Sequence, residues 1–185
     1  GKIVPHSRMI ASATSYQAGY EPSKTIDDIM ANFWCARWEP YAPLPQSVIL
    51  DLGSIYRIDK LWYLPRQDIG EGSLNGNITA YRIYTSLDSS NWVQAASGIW
   101  ASDKSEKLVE FAPVNASYVK LEATAGYGGY ASSDEISISG DEIEVAAFLE
   151  HWLHYGVCEH DYNDDGIVNF ADYALLVGAR YMAPL

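Results

Sequence analysis

The sequence predicts an all-β sandwich followed by a small helical module, and three observations lead there. From about residue 46 to residue 139, short β-branched and aromatic runs alternate with Gly, Asn, Asp or Ser turns, with no helical period between them. After Gly140 the apolar residues change to helical spacing. Within that second part, residues 161–172 place oxygen-bearing side chains at the intervals of a calcium-binding loop.

Residues 1–45 are irregular and rich in Pro, Ser and Tyr, so they are expected to wrap the sandwich as loops, where binding residues tend to sit. The predicted strands are Ser47 to Leu52, Ile55 to Leu64, Ile78 to Ser86, Trp92 to Ile99, Leu108 to Phe111, Tyr118 to Ala123 and Glu135 to Ser139. Val145, Phe148, Leu149, Trp152 and Leu153 then recur at helical intervals, as do Ala174, Leu175, Val177 and Tyr181. They predict two short amphipathic helices joined through the loop. The domain boundary falls at Gly140, giving a sandwich over 1–140 and a helical module over 141–185.

In the loop, Asp161, Asn163, Asp165, Asn169 and Asp172 occupy positions 1, 3, 5, 9 and 12, and Ile167 offers its carbonyl at position 7. Gly166 takes the sixth position, where the backbone must turn sharply. Ca²⁺ needs about six to eight hard oxygen ligands, and this spacing delivers them from one segment as an EF-hand does. The last ligand is Asp rather than the bidentate Glu of a signalling EF-hand, which points away from a sensor. The form D-x-N-x-D-G-x-x-N-x-x-D before a Leu-rich helix resembles the dockerin module of secreted polysaccharide-degrading proteins. The resemblance implies a cohesin-like protein partner. A full dockerin carries two loops, whereas this tail carries one intact loop and the helix of a first repeat.

Charge is unevenly divided. Residues 1–140 hold 15 acidic and 11 basic residues, a net of −4, and residues 141–185 hold 9 acids and Arg180, a net of −8. An acidic tail without a basic patch makes nucleic acid and anionic membranes poor partners. The 6 Trp and 14 Tyr suit half-exposed sugar platforms, although antiparallel sheets favour the same residues. Cys35 and Cys158 lack metal-site spacing and are expected to be free or buried thiols. No apolar run approaches the length of a membrane span and no signal peptide is evident, so the chain reads as a mature or excised fragment.

Several segments of the first part resemble the discoidin, or coagulation factor 5/8 type C, domain: Thr25-Ile26-Asp27-Asp28, Phe33 to Trp38, Val48 to Gly53, Leu64 to Asp68, Tyr81 to Asp88, Asn91-Trp92, Tyr118 to Leu121 and Asp134-Glu135-Ile136. Pro65-Arg66-Gln67-Asp68 and Phe33-Trp34 are most similar to carbohydrate-binding modules of family 32. This resemblance implies a galactose-binding-like jelly-roll sandwich with sugar held by end loops. It also implies a structural Ca²⁺ held by the carbonyls of Lys24 and Ile29, the Asp27 carboxylate, Asn32, the Asp134 carbonyl and the Glu135 carboxylate.

For the sugar, the resemblance assigns stacking to Tyr130 and Trp38, hydrogen bonding to Arg66 and Asn75, and a polar contact to Gln17. Other uses remain open to these residues: Arg66 could pair with Asp68, Asn75 could shape a turn, Tyr130 could be an ordinary exposed tyrosine and Trp38 a core residue. Cys35 stands where galactose-binding relatives carry His, and a thiol bonds weakly. The implied site therefore leaves open which galactose-type or related sugar it takes.

The expected function is a non-catalytic, calcium-stabilised carbohydrate-binding module on a secreted, bacterial glycan-degrading protein, with a docking tail. The alternative is adhesion to a protein or membrane surface through the discoidin-like loops. An enzyme is disfavoured: His6, His151, His154 and His160 form no Ser/His/Asp pattern, and the acidic clusters have calcium rather than glycosidase character. Asn77-Ile78-Thr79 and Asn115-Ala116-Ser117 fit the glycosylation sequon, which a bacterial source would leave unused.

Overall fold

The chain divides into two compact units, Gly1–Asp141 and Glu142–Leu185. A computed structural model describes residues 1–70, 72–143 and 172. The two predicted tail helices and Asp161, Asn163, Asp165, Ile167 and Asn169 lie outside the described residues. Asp172, the last position of the predicted loop, is helical and fully buried.

The first unit is mainly β: β1 Lys2–Ile3, β2 Ile10–Ala13, β3 Trp34–Cys35, β4 Gln46–Leu64, β5 Ile78–Ser86, β6 Val93–Ile99, β7 Lys107–Gly126, β8 Ser132–Ser133 and β9 Glu135–Glu142. Two boundaries expected from the sequence disappear. The Gly53-Ser54 turn signal is a bulge inside β4, where the pairing with β7 shifts register between Asp51 and Tyr56. Gly53 has φ +75°, and a Cβ there would lie 2.5 Å from the Arg8 carbonyl oxygen, so the bend requires glycine. Pro113 does not end β7 either. It sits in a second irregularity, between the Ile58–Val114 and Lys60–Glu110 pairs, where a missing N–H does least harm to the ladder.

β4 and β7 therefore pair antiparallel from Gln46 opposite Ala123 to Tyr63 opposite Lys107. Their bulges bend the pair so that its two halves serve different layers. In one layer, β2 flanks the first half of β4, while β5 and then β6 extend from the second half of β7. In the other, β9 pairs with β4 and β1. A Cβ at Gly140 would meet Ile58 Cγ2 at 2.7 Å, which sets β9 along the second half of β4. Val48, Leu50, Leu52, Ile58, Leu61, Ile83, Leu121, Ile136 and Ile138 fill one core between the layers. In β5 the period-two alternation is visible directly: Tyr81, Ile83 and Thr85 are buried, and Arg82 is exposed.

The N-terminal 45 residues are not all loop. They contribute β1, β2, β3 and two 3-10 turns, His6–Arg8 and Pro22–Ile26. β2 and β3 are too short to produce a period in sequence, and partner strands supply the ladder that their propensity does not.

At the end of β4, Tyr63 is fully buried and stacks on Trp100, with ring centroids 4.8 Å apart. Its hydroxyl donates to the Ser132 carbonyl and accepts from the Ile78 N–H, each at 3.0 Å. Burial holds the phenol well above its ordinary pKa, so it stays a donor. One hydroxyl thereby joins β4, β5 and β8. Tyr63→Phe leaves both main-chain groups without a partner, and a loss of about 1–3 kcal/mol is expected in urea unfolding with an unchanged m-value. A loss of under about half a kcal/mol would show that the hydroxyl is dispensable.

Candidate functional site

Loops at one end of the sandwich enclose a cavity of about 280 Å³ lined by Cys35, Trp38, Arg66, Gly72, Asn75 and Tyr130. Four of the five residues singled out for sugar contact thus come together from three separate connections. Gln17 does not line the cavity. Its side-chain oxygen accepts from the N–H groups of Trp38 at 3.2 Å and Glu39 at 3.1 Å, so it fixes the turn that carries Trp38.

Arg66 follows β4 and is held from three sides. Its Nε and one terminal nitrogen donate to the Asp68 carboxylate at 2.7 and 2.5 Å, and the other terminal nitrogen donates to the Asn75 carbonyl at 3.1 Å. The guanidinium also lies 4.2 Å from the Phe33 ring centroid. Hydrogen bonding to this fork, opposed by burial, holds the Asp68 carboxyl below its usual range. The ion pair and the cavity lining are one arrangement: the pair aims the arginine, and three of its five N–H groups are engaged among the described residues.

Tyr130 joins the lining just after the tight 3-10 turn Tyr127–Gly129. Three main-chain bonds stitch this turn and the residues after it to the Gly72–Asn77 loop: Gly76 N–H to the Tyr127 carbonyl and Tyr127 N–H to the Asn77 carbonyl, each at 2.9 Å, and Ser132 N–H to the Gly76 carbonyl at 2.7 Å. Close approach demands glycine here. A Cβ on Gly126 would sit 1.9 Å from the Tyr130 carbonyl oxygen, and one on Gly128 would sit 2.8 Å from Asn75 Oδ1. The Asn75 amide makes no hydrogen bond among the described residues, so it keeps both donor and acceptor capacity at the cavity.

Trp38 is 39% exposed and meets Tyr20 edge-on at 5.1 Å, and Tyr20 in turn packs on Phe33 at 5.0 Å. The aromatic chain that buttresses Trp38 is therefore the one that carries Arg66. Cys35 forms the buried part of the lining. Its thiol is pushed up to about 11, chiefly by burial, and stays protonated at neutral pH. The cavity thus presents two aromatic surfaces, a fixed cation and a free amide. That combination suits the C–H patches and hydroxyls of a small polyhydroxylated ring.

A second cluster lies where β9 begins. Both Glu135 carboxylate oxygens are buried without a hydrogen-bond partner among the described residues. Burial raises this carboxyl to about 7, and the Asp27, Asp28 and Asp134 charges add to the rise. The nearby Asp28 N–H opposes it without reaching hydrogen-bond geometry. Asp27 accepts from the Ile29 N–H at 2.9 Å and from the Asn32 side chain. Asp134 is fully buried and accepts from the N–H groups of Ala31 and Gln67, so its side chain is already committed. Lys24 belongs to the Pro22–Ile26 turn that leads into this cluster.

Sequence reasoning missed two residues here. His6 Nδ1 lies 2.8 Å from Asp28 Oδ1 and 3.7 Å from Glu135 Oε2, and His6, Asp28 and Glu135 present potential ligand atoms within 4.8 Å of one another. Asp28 adopts φ +59°, which an acidic turn residue tolerates. A carboxylate buried among three others without donors is costly unless a cation joins it, and the surrounding oxygens are those a hard divalent ion prefers. At the cavity, the buttresses Tyr20 and Phe33 were also missed, because stacking between loops leaves no period in the sequence.

Gly126→Ala tests the loop geometry. The added methyl must displace the Tyr130 carbonyl, and about 1–3 kcal/mol of stability is expected to be lost, with Tyr130 moved out of the cavity wall. A variant of unchanged thermal midpoint would contradict this.

Comparison with known proteins agrees with this geometry. Residues 10–136 match the F5/8 type C domain. The chain is 33% identical over 140 residues to an A type blood N-acetyl-alpha-D-galactosamine deacetylase of Flavonifractor plautii, matching 74% of this chain and 18% of that enzyme. It is 31% identical over 145 residues to a galactose oxidase of Gibberella zeae, matching 75% of this chain and 21% of the oxidase. The chain thus spans about a fifth of the length of these relatives. Among solved structures, the Clostridium perfringens module CpGH89CBM32-5, in complex with GalNAc-β-1,3-galactose, superposes with TM-score 0.70 at 35% identity, covering 74% of this chain and 99% of that one. The family 32 CBM of Clostridium perfringens NanJ, in complex with galactose, gives TM-score 0.68 at 31% identity, covering 74% and 97%. The chain therefore belongs to the F5/8 type C domain family, and its sandwich is a family 32 carbohydrate-binding module, a domain that binds rather than catalyses.

Proposed function

We propose that the cavity holds a terminal galactose-type sugar, galactose or N-acetylgalactosamine, for a secreted glycan-degrading protein. The observation that carries this reading is Arg66, fixed by Asp68, Asn75 and Phe33 in a lining that it shares with Trp38 and Tyr130. A guanidinium whose position is already fixed can hydrogen-bond ring hydroxyls at little ordering cost. Tyr130 and Trp38 take the C–H faces, and Asn75 reads a further hydroxyl. Cys35 adds packing rather than directional bonding, so discrimination among sugars falls to Arg66 and Asn75. The galactose and GalNAc-β-1,3-galactose bound by the two similar modules support this choice of sugars.

Calcium in the sandwich belongs to the same proposal. Glu135, Asp27 and Asn32, with the carbonyls of Lys24, Ile29 and Asp134, would hold one Ca²⁺, which neutralises the acidic cluster and ties the Pro22–Ile26 turn to β9. A second Ca²⁺ would occupy the predicted 161–172 loop, and the dockerin-like tail would dock to a cohesin-like protein. In a shallow cavity monosaccharide affinity is weak, and retention on a glycan surface comes from multivalency or from tethering to a larger protein.

Two measurements test this. On a glycan array, binding to terminal galactose or N-acetylgalactosamine is expected, and Arg66→Ala should weaken it about tenfold or more. No glycan signal from a folded protein would sink the proposal. For calcium, saturating Ca²⁺ at about 100 times its Kd contributes about 2.7 kcal/mol, so EDTA is expected to lower Tm by about 5–10 °C. Glu135→Gln should remove the sandwich ion's share of that shift and leave only what the 161–172 loop contributes. If the variant responds to EDTA as the wild type does, the sandwich does not bind the ion.

A further inference from the structure

We infer that Tyr41 forms a second sugar subsite at the cavity rim, so that the module reads the two terminal residues of a glycan rather than one. The inference rests on the sugar-binding reading of the cavity. Tyr41 is not part of the cavity lining, yet it touches two residues that are. Its backbone bridges to Trp38, and its ring stands edge-on to Tyr130, with centroids 5.7 Å apart at 89°. More than half of the residue, 52%, is exposed.

An exposed tyrosine ordinarily samples several rotamers, and ordering it on binding costs free energy. Tyr41 is already ordered at its far end. Its hydroxyl donates to the Gly129 carbonyl at 3.0 Å. Gly129 has φ +83°, and a Cβ there would come 3.3 Å from that hydroxyl, so glycine both allows the turn and admits the phenol. The result is an aromatic ring held at its tip, edge and backbone, with much of its surface left to solvent. A side chain serving only to brace Tyr130 would gain more by burying that area.

The two tyrosines are perpendicular, so a glycan leaving the cavity meets a new aromatic plane rather than a continuation of the first. The next sugar ring can lay its C–H patch on Tyr41 while the terminal ring stays against Tyr130. Sugars suit this ring better than an apolar peptide does, because the rim is built of tyrosine, glycine and main-chain carbonyls and can accept a wet, hydroxyl-rich partner.

Titration calorimetry on the full chain tests this with galactose, N-acetylgalactosamine and GalNAc-β-1,3-galactose against wild type, Tyr41→Phe and Tyr41→Ala. The disaccharide is expected to bind wild type about five- to tenfold more tightly than the better monosaccharide. Tyr41→Phe, which keeps the ring, should retain most of that ratio, and Tyr41→Ala should bring it close to one. Using the ratio separates stacking from any loosening of the Tyr130 loop, which would weaken all three ligands alike. A ratio near one in wild type, or one unchanged in Tyr41→Ala, overturns the subsite while leaving the cavity's sugar binding intact. If wild type binds none of the three, the sugar reading of the cavity fails, and the subsite with it.

Discussion

The cavity depends on one buried hydroxyl. The connections that bear Asn75 and Tyr130 would each expose main-chain groups to a dry interior, because one runs into the start of β5 and the other into β8. Tyr63 satisfies both, accepting from Ile78 and donating to Ser132. The Trp100 ring then covers it, itself stacked on Tyr81 at 3.9 Å. Two loops that share no sequence neighbourhood are thus referred to one point at the end of β4. Arg66 leaves that strand only three residues later, so the cation and the two loops are positioned from the same anchor. Precision at the site comes from a rigid element rather than from the loops themselves.

The electrostatics follow a similar economy at two places with opposite outcomes. At Arg66 the charge is balanced within the fold: the Asp68 carboxylate and the Phe33 face stabilise the guanidinium, and Asp68 is held ionised in return. At Glu135 the fold supplies no balance among the described residues except His6, which leans toward Asp28 at 2.8 Å and reaches Glu135 only at 3.7 Å. Burial first, and then the neighbouring Asp27, Asp28 and Asp134 charges, raise the carboxyl to about 7. The first site is complete and presents its remaining donors outward. The second is organised around a charge deficit, and a divalent cation is the partner that such a deficit favours.

The strands of the sandwich were legible because burial on one face writes a period of two into the sequence; Ile78–Ser86 matches its predicted bounds, and Tyr81, Ile83 and Thr85 point inward as that period requires. The failures came where backbone geometry overrode local signals. The predicted strands left gaps at 53–54 and 112–117, but Gly53 and Pro113 each sit at an irregularity that bends a long strand instead of ending it. The short β2 and β3 left no signal, since partner strands rather than their own residues define them. Trp38, Arg66, Asn75 and Tyr130, singled out through family resemblance, come together in one cavity lining. Gln17 lies outside the lining, and its residue type gives no hint that the amide oxygen would be turned back onto the Trp38 and Glu39 backbone. Tyr41 sits in a Pro-rich run that reads only as a wrapping loop. Its exposure and its bond to Gly129 are tertiary facts with no local trace.

Rigidity of this kind changes what weak binding can do. A cavity of about 280 Å³ has room for little more than one ring, so a single contact cannot be strong. What the scaffold can reduce is the ordering cost: Arg66, Tyr130 and Tyr41 are each held before any ligand arrives, by Asp68, by the glycine-dependent turn at 126–129 and by the Gly129 carbonyl. On the sugar-binding reading, low ordering cost with few contacts leaves affinity to repetition rather than to any one site.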